Sequence, residues 1–129
     1  MQNFRRIWLM LGYLWVGAII YLSLTSSPPA PLHFHNADKL EHAMAYGSVM
    51  LWLCQIIRSR TQQFMLGIGL MAMGAILEVL QGMTGYRSFE YADMLANSTG
   101  VIIAGLLAQT LLGRLYFGLA ASLNLEKQN

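Results

Sequence analysis

Eight ionisable residues of this chain are placed where they could act together: Asp38, Lys39, Glu41, His42, Glu78, Arg87, Glu90 and Asp93. Each lies at or near the end of a long apolar run. Lys39 and Arg87 are the groups that could hold phosphate or carboxylate, the arginine through a planar fork of donors. Imidazole is the side chain best suited to exchanging a proton near neutral pH, so His42 is the acid–base candidate. Glu78 or Asp93 could orient it, as carboxylates do in general acid–base sites. The catalytic candidates are therefore His42, Glu78 and Asp93.

Helical spacing narrows the set. Asp38, His42 and Tyr46 recur every four residues and share a face, with Lys39 bordering it. Glu78 and Gln81 are three apart on another helix. Asp93 and Asn97 are four apart on a third, and Gly100, Ala104 and Ala108 extend that stripe as small residues that let helices approach closely. Arg87 lies in the turn between Gln81 and Asp93. Candidate ligand-binding residues are thus Asp38, Lys39, His42, Tyr46, Glu78, Gln81, Arg87, Asp93 and Asn97. Asn36 is a plausible N-cap. Glu41, in a first helical turn, and Glu90 read as surface charges.

The elements that must carry these residues are apolar. Of 129 residues, 56% are hydrophobic and 11% charged, about half the charged fraction of a soluble domain. Four runs stand out, at about 7–24, 40–57, 63–83 and 92–113. About 20 apolar residues cross a bilayer. Linkers are short, and the first carries Pro28, Pro29 and Pro31, which break helices. The expected fold is an all-α membrane protein, four transmembrane helices in an up-down-up-down bundle, forming one domain over 1–129. A retained first span is favoured over a cleaved signal, because no small-residue cleavage site follows Leu24. Trp8, Tyr86, Tyr91 and Tyr116 near the run ends suit the headgroup zone.

Basic residues set the orientation. Arg5, Arg6, Arg58, Arg60, Arg114 and Lys127 fall on the side of both termini, with Glu126 as the one acid there. Lys39 and Arg87 share the other side with Asp38, Glu41, Glu78, Glu90 and Asp93. Both termini should face the cytoplasm and the polar cluster should face outward. Glu78 would lie roughly 8 Å inside the outer end of its helix. A carboxylate there is costly and calls for an inward orientation and a partner.

The net charge of +2, with no basic stripe interleaved by aromatics, argues against a nucleic-acid partner. The single cysteine, Cys54, sits in an apolar run and reads as buried filler. His42, Glu78 and Asp93 could ligate a metal as one imidazole and two carboxylates, but no compact motif such as His-Glu-x-x-His occurs. The sequence calls for no metal and no cofactor. His33 and His35 read as solvated linker residues.

The ordered set Asp38-Lys39-x-x-His42-x-x-x-Tyr46, Glu78-x-x-Gln81, Arg87 and Asp93-x-x-x-Asn97-x-x-Gly100 resembles the VanZ-like family of small bacterial membrane proteins. The resemblance runs from about Asp38 to Gly105. It departs from the family at Gly85-Tyr86-Arg87, where the family often has Pro-Gly-Arg. It implies a multi-pass protein of the bacterial cytoplasmic (inner) membrane and a cell-envelope context, without a defined reaction.

Several functions remain in play. The polar cluster could bind, or act on, the anionic headgroup of a membrane lipid or lipid-linked envelope precursor. It could instead lock helix packing as an internal ion-pair network, with or without a protein partner. A small proton-coupled transporter is the remaining class, since intramembrane carboxylates can relay protons. Gly and Ala stripes permit a homo-oligomer as readily as internal packing.

Overall fold

The computed structural model describes residues 2–30, 32, 34–57, 59–110, 118 and 121–122. Among these the chain is all-helical, with α1 (Gln2–Leu24), α2 (Ala37–Cys54), α3 (Arg60–Met83) and α4 (Tyr91–Leu107). Arg58, His33, Pro31, Leu111–Gly113, Arg114, Tyr116, Glu126 and Lys127 lie outside the described residues.

Local chemistry explains the boundaries. α1 stops before Pro28 and Pro29, whose rings cannot continue a helix. Asn36 does precede α2, but its side chain makes no capping bond; instead its backbone takes the left-handed conformation, φ 60, which asparagine tolerates better than most residues. Ser59 caps α3, accepting the Gln62 N–H at 3.5 Å, so the helix begins before the apolar run at Gln63 does. Two of the apolar runs extend past the helix that they contain. Gln55 and Ile56 close a tight turn after α2, donating to the Trp52 and Leu53 carbonyls. α4 is helical only to Leu107.

Packing is uneven. α2 and α4 make the most extensive interface, α3 packs on α4, and α1 lies at the edge. The α2–α4 approach is backbone to backbone. A Cβ on Gly47 would come within 3.0 Å of the Gly100 carbonyl oxygen, and one on Gly100 would overlap the Ala43 carbonyl. Glycine is required there because the two main chains occupy the space a side chain would need. Tyr46, Val49, Met50, Leu53 and Cys54 of α2 join Leu70 of α3 and Val101, Ala104 and Ala108 to form the core.

The distribution of polarity is reversed from that of a water-soluble fold. Glu78, Gln81, Asp93 and Asn97 are buried, while Leu14, Tyr21, Phe64, Ile76, Ile102 and Leu106 are exposed. Two helices, Asn3–Leu24 and Arg60–Met83, are long and apolar enough to cross a membrane. α2 carries Asp38, Lys39 and Glu41 within its 18 residues, and α4 has only 17, roughly 25 Å at 1.5 Å per residue.

Candidate functional site

One end of the bundle collects the C-termini of α1 and α3 and the N-termini of α2 and α4. Its polar groups form two linked clusters, one at the rim and one inside.

At the rim, Lys39 reaches three carboxylates. Its Nζ lies 2.7 Å from Asp38, 2.5 Å from Glu90 and 2.5 Å from Asp93 Oδ1. The Asp93 contact is an ion pair outside hydrogen-bond geometry, so that oxygen, although shielded from solvent, is met by charge and by no aligned donor. Burial acts against the Lys39 charge, but the hydrogen bonds to Asp38 and Glu90 and the close negative charge of Asp93 outweigh it and hold the ammonium above its ordinary value of 10.5. The same ammonium holds the Asp38 carboxyl below its ordinary 3.8. Carboxylate oxygens of Asp38, Glu90 and Asp93 lie within 4.8 Å of one another, close enough to share one cation, and Lys39 supplies it from within the chain. The acids that gather in this way are therefore not the His42, Glu78 and Asp93 combination suggested by residue type.

Inside the rim, His42 bridges α2 to α4. Its Nδ1 is 3.1 Å from Asn97 Oδ1 and its Nε2 is 3.5 Å from Asp93 Oδ2. A ring protonated on both nitrogens donates in both directions. A ring protonated only on Nδ1 keeps the Asn97 bond and turns a lone pair toward Asp93. Asp93 thus divides its two oxygens between Lys39 and His42, which places the imidazole beside an anchored carboxylate.

Glu78 is 1% exposed and projects from α3 into this end. Its Oε1 accepts the backbone N–H of Glu90 at 2.8 Å. His42, Asp93 and Arg87 all lie near enough for their charges to act on it. Tyr46, 2% exposed, sits one turn below His42 and within reach of the same charge.

Not every sequence-selected residue joins the network. Gln81 donates through Nε2 to the Ser23 carbonyl at 2.7 Å, tying α3 to the end of α1. Arg87 is half-buried and makes no hydrogen bond or ion pair among the described residues. Asp38 is a rim group that pairs with Lys39 and makes no bond to His42 among the described residues. Two residues set aside as surface charges have structural partners. Glu90 contacts Lys39 through its side chain and Glu78 through its backbone. Glu41 accepts the Leu32 N–H at 3.0 Å, anchoring the proline-rich linker. The i to i+3 spacing of Glu90 and Asp93 was the available signal that Glu90 could approach Lys39 along with Asp93.

The site chemistry separates into saturated and unsaturated groups. Lys39 and Gln81 are occupied by partners from the chain. His42 faces Asp93, and Arg87 makes no hydrogen bond or ion pair among the described residues. No protein-family model, curated protein or solved structure matches the chain.

Proposed function

We propose that this chain is an integral membrane protein of the VanZ-like type, with four spans, both termini cytoplasmic and the polar end outward. In this reading the polar end receives the anionic headgroup of a lipid or lipid-linked envelope precursor. The observation that carries it is the contrast between the two cations. Lys39 is surrounded by three carboxylates, whereas Arg87 has no ion pair among the described residues. An arginine fork left free beside a buried polar cluster suits a phosphate or carboxylate oxygen.

His42 is the group able to give or take a proton next to such a headgroup, with Asp93 orienting its ring and Asn97 fixing the other nitrogen. The membrane setting is supported by the apolar exterior and by the two long apolar helices. Basic residues on the side of the termini support the orientation.

A second reading is favoured by the Lys39 contacts themselves. Three acids from α2, the linker and α4 on one ammonium are a device for fixing helix register, and buried pairs often serve specificity more than stability. Both readings accept Lys39 as structural; they part over Arg87 and His42.

The test uses the full chain in detergent. Wild type, His42→Ala and Arg87→Ala are compared for melting and for retention of phosphatidylglycerol against phosphatidylcholine by native mass spectrometry. Headgroup binding predicts preferential retention of the anionic lipid, lost in folded Arg87→Ala. No preference in the wild type, with both variants unfolding, leaves the register-locking reading. For topology, a reporter fused after Asn129 should read cytoplasmic; a signal from the opposite side overturns the orientation.

A further inference from the structure

The partner of Glu78 is a backbone group at a structurally particular position. Glu90, whose N–H donates to Glu78 Oε1 at 2.8 Å, is the N-cap residue of α4. The first backbone N–H groups of any helix lack partners within it. A common solution is a capping box, in which an acid at the third helical position folds back onto the N-cap N–H. The acid at that position here is Asp93, and it does not fold back. Its oxygens face Lys39 and His42. The side chain of Glu90 makes no cap either and reaches Lys39 instead.

We infer that Glu78 caps α4 from the neighbouring helix, and that this borrowed cap frees Asp93 to hold Lys39 and His42. Glu78 is then a positioning residue. Its carboxyl oxygen supplies a hydrogen-bond acceptor at the helix end where backbone donors lack one. The same bond fastens the linker that carries Arg87, since Glu90 is three residues beyond it. Phe89 adds to the closure: its Cβ packs so near Gly82 that a Cβ there would meet it at 2.8 Å. A buried carboxylate otherwise read as a proton carrier is accounted for by a backbone donor that needs an acceptor. This role goes beyond headgroup binding and is independent of any ligand.

The experiment compares wild type, Glu78→Gln and Glu78→Leu as full chains in detergent micelles, without added lipid ligand. Amide hydrogen exchange is read at Glu90–Asp93, and ring nitrogen signals are read at His42. The glutamine amide oxygen can still accept the Glu90 N–H; leucine cannot. The wild-type Glu90 amide should be protected. Leucine should speed exchange at Glu90 and the first turn of α4 by roughly five- to tenfold, the usual worth of a lost cap, and move the His42 ring signals. Glutamine should restore both close to wild type. Should the leucine variant fail to fold, the wild-type and glutamine spectra decide alone. A wild-type Glu90 amide that exchanges as fast as that of Ser88, or a glutamine variant as disturbed at Glu90 and His42 as one without an acceptor, overturns the assignment.

Discussion

The two ends of the bundle solve the same problem with different chemistry. At the end away from the polar cluster, Trp8 and Trp52 stack with ring centroids 4.0 Å apart. Each indole donates to the other residue's backbone carbonyl, at 3.1 and 3.0 Å. Gln63 donates to the Ile57 carbonyl at 2.7 Å, and Arg60 bonds Gln109. Apart from the Arg60 bond, these contacts pair neutral donors with neutral acceptors. At the polar end the fastening is done by Lys39, His42, Glu78, Glu90 and Asp93. Neutral pairs complete themselves with one bond. Charged groups carry more demand than one partner fills, and they respond to pH, salt and ligands. The end that can be perturbed from outside is therefore the end built from charge.

The largest expected effect removes the scaffold common to both ends. Gly100→Leu places a side chain where the Ala43 backbone already lies and should cost about 3 kcal/mol or more. Thermal unfolding in detergent should show a much lower midpoint, with both ends disturbed. Next comes Asp93→Ala, which removes the group shared by Lys39 and His42. Lys39 keeps Asp38 and Glu90, but the ring of His42 loses its carboxylate, and the change should cost about 2–3 kcal/mol, read in the same assay. Trp52→Phe keeps an aromatic ring but loses one indole bond, and should cost about 1–2 kcal/mol. It should leave anionic-lipid retention unchanged, because the change lies at the opposite end. A loss of retention in Trp52→Phe would show that the two ends are not separable.

The smallest effect is on pH dependence. Asp38 is held below its ordinary 3.8 by Lys39, so its contribution is present above 3.8 and fades as pH falls below it. Lys39 is held above its ordinary 10.5, so its contribution is complete below 10.5 and fades as pH rises beyond it. The Lys39–Asp38 contribution should thus be flat between those values. Asp38 is largely exposed, so solvent screens it and the acid limb should be shallow. Lys39→Met should flatten both limbs in stability measured against pH, whereas Trp52→Phe should leave them unchanged.

Much of this arrangement could be read from residue order. The apolar runs located all four helices, and the small stripe from Gly100 marked the α4 face open to close packing, without naming α2 as the partner. Periodicity also placed Glu78, Asp93 and Asn97 on inward faces. What could not be read depended on contacts between distant segments. Nothing local to Trp8 announces Trp52, 44 residues away, as its partner. Glu90 looked like a linker charge because its role arises only when Lys39, 51 residues earlier, is folded against it. Glu41 was assigned to the surface on its position in a first turn, which says nothing about the linker backbone folding back to it. Residue type gives Lys39 and Arg87 the same part, that of holding a phosphate or carboxylate. Only the fold distinguishes Lys39, met by three carboxylates, from Arg87, which has no ion pair among the described residues.

That distinction is the most direct point of attack. In detergent, Arg87→Ala and Lys39→Met are each measured for melting midpoint and for retention of phosphatidylglycerol relative to phosphatidylcholine. The account predicts a crossed result: Arg87→Ala keeps its midpoint and loses the anionic preference, while Lys39→Met melts earlier and keeps that preference wherever it remains folded. Equal retention in wild type and Arg87→Ala, or a midpoint that falls as far in Arg87→Ala as in Lys39→Met, would contradict it.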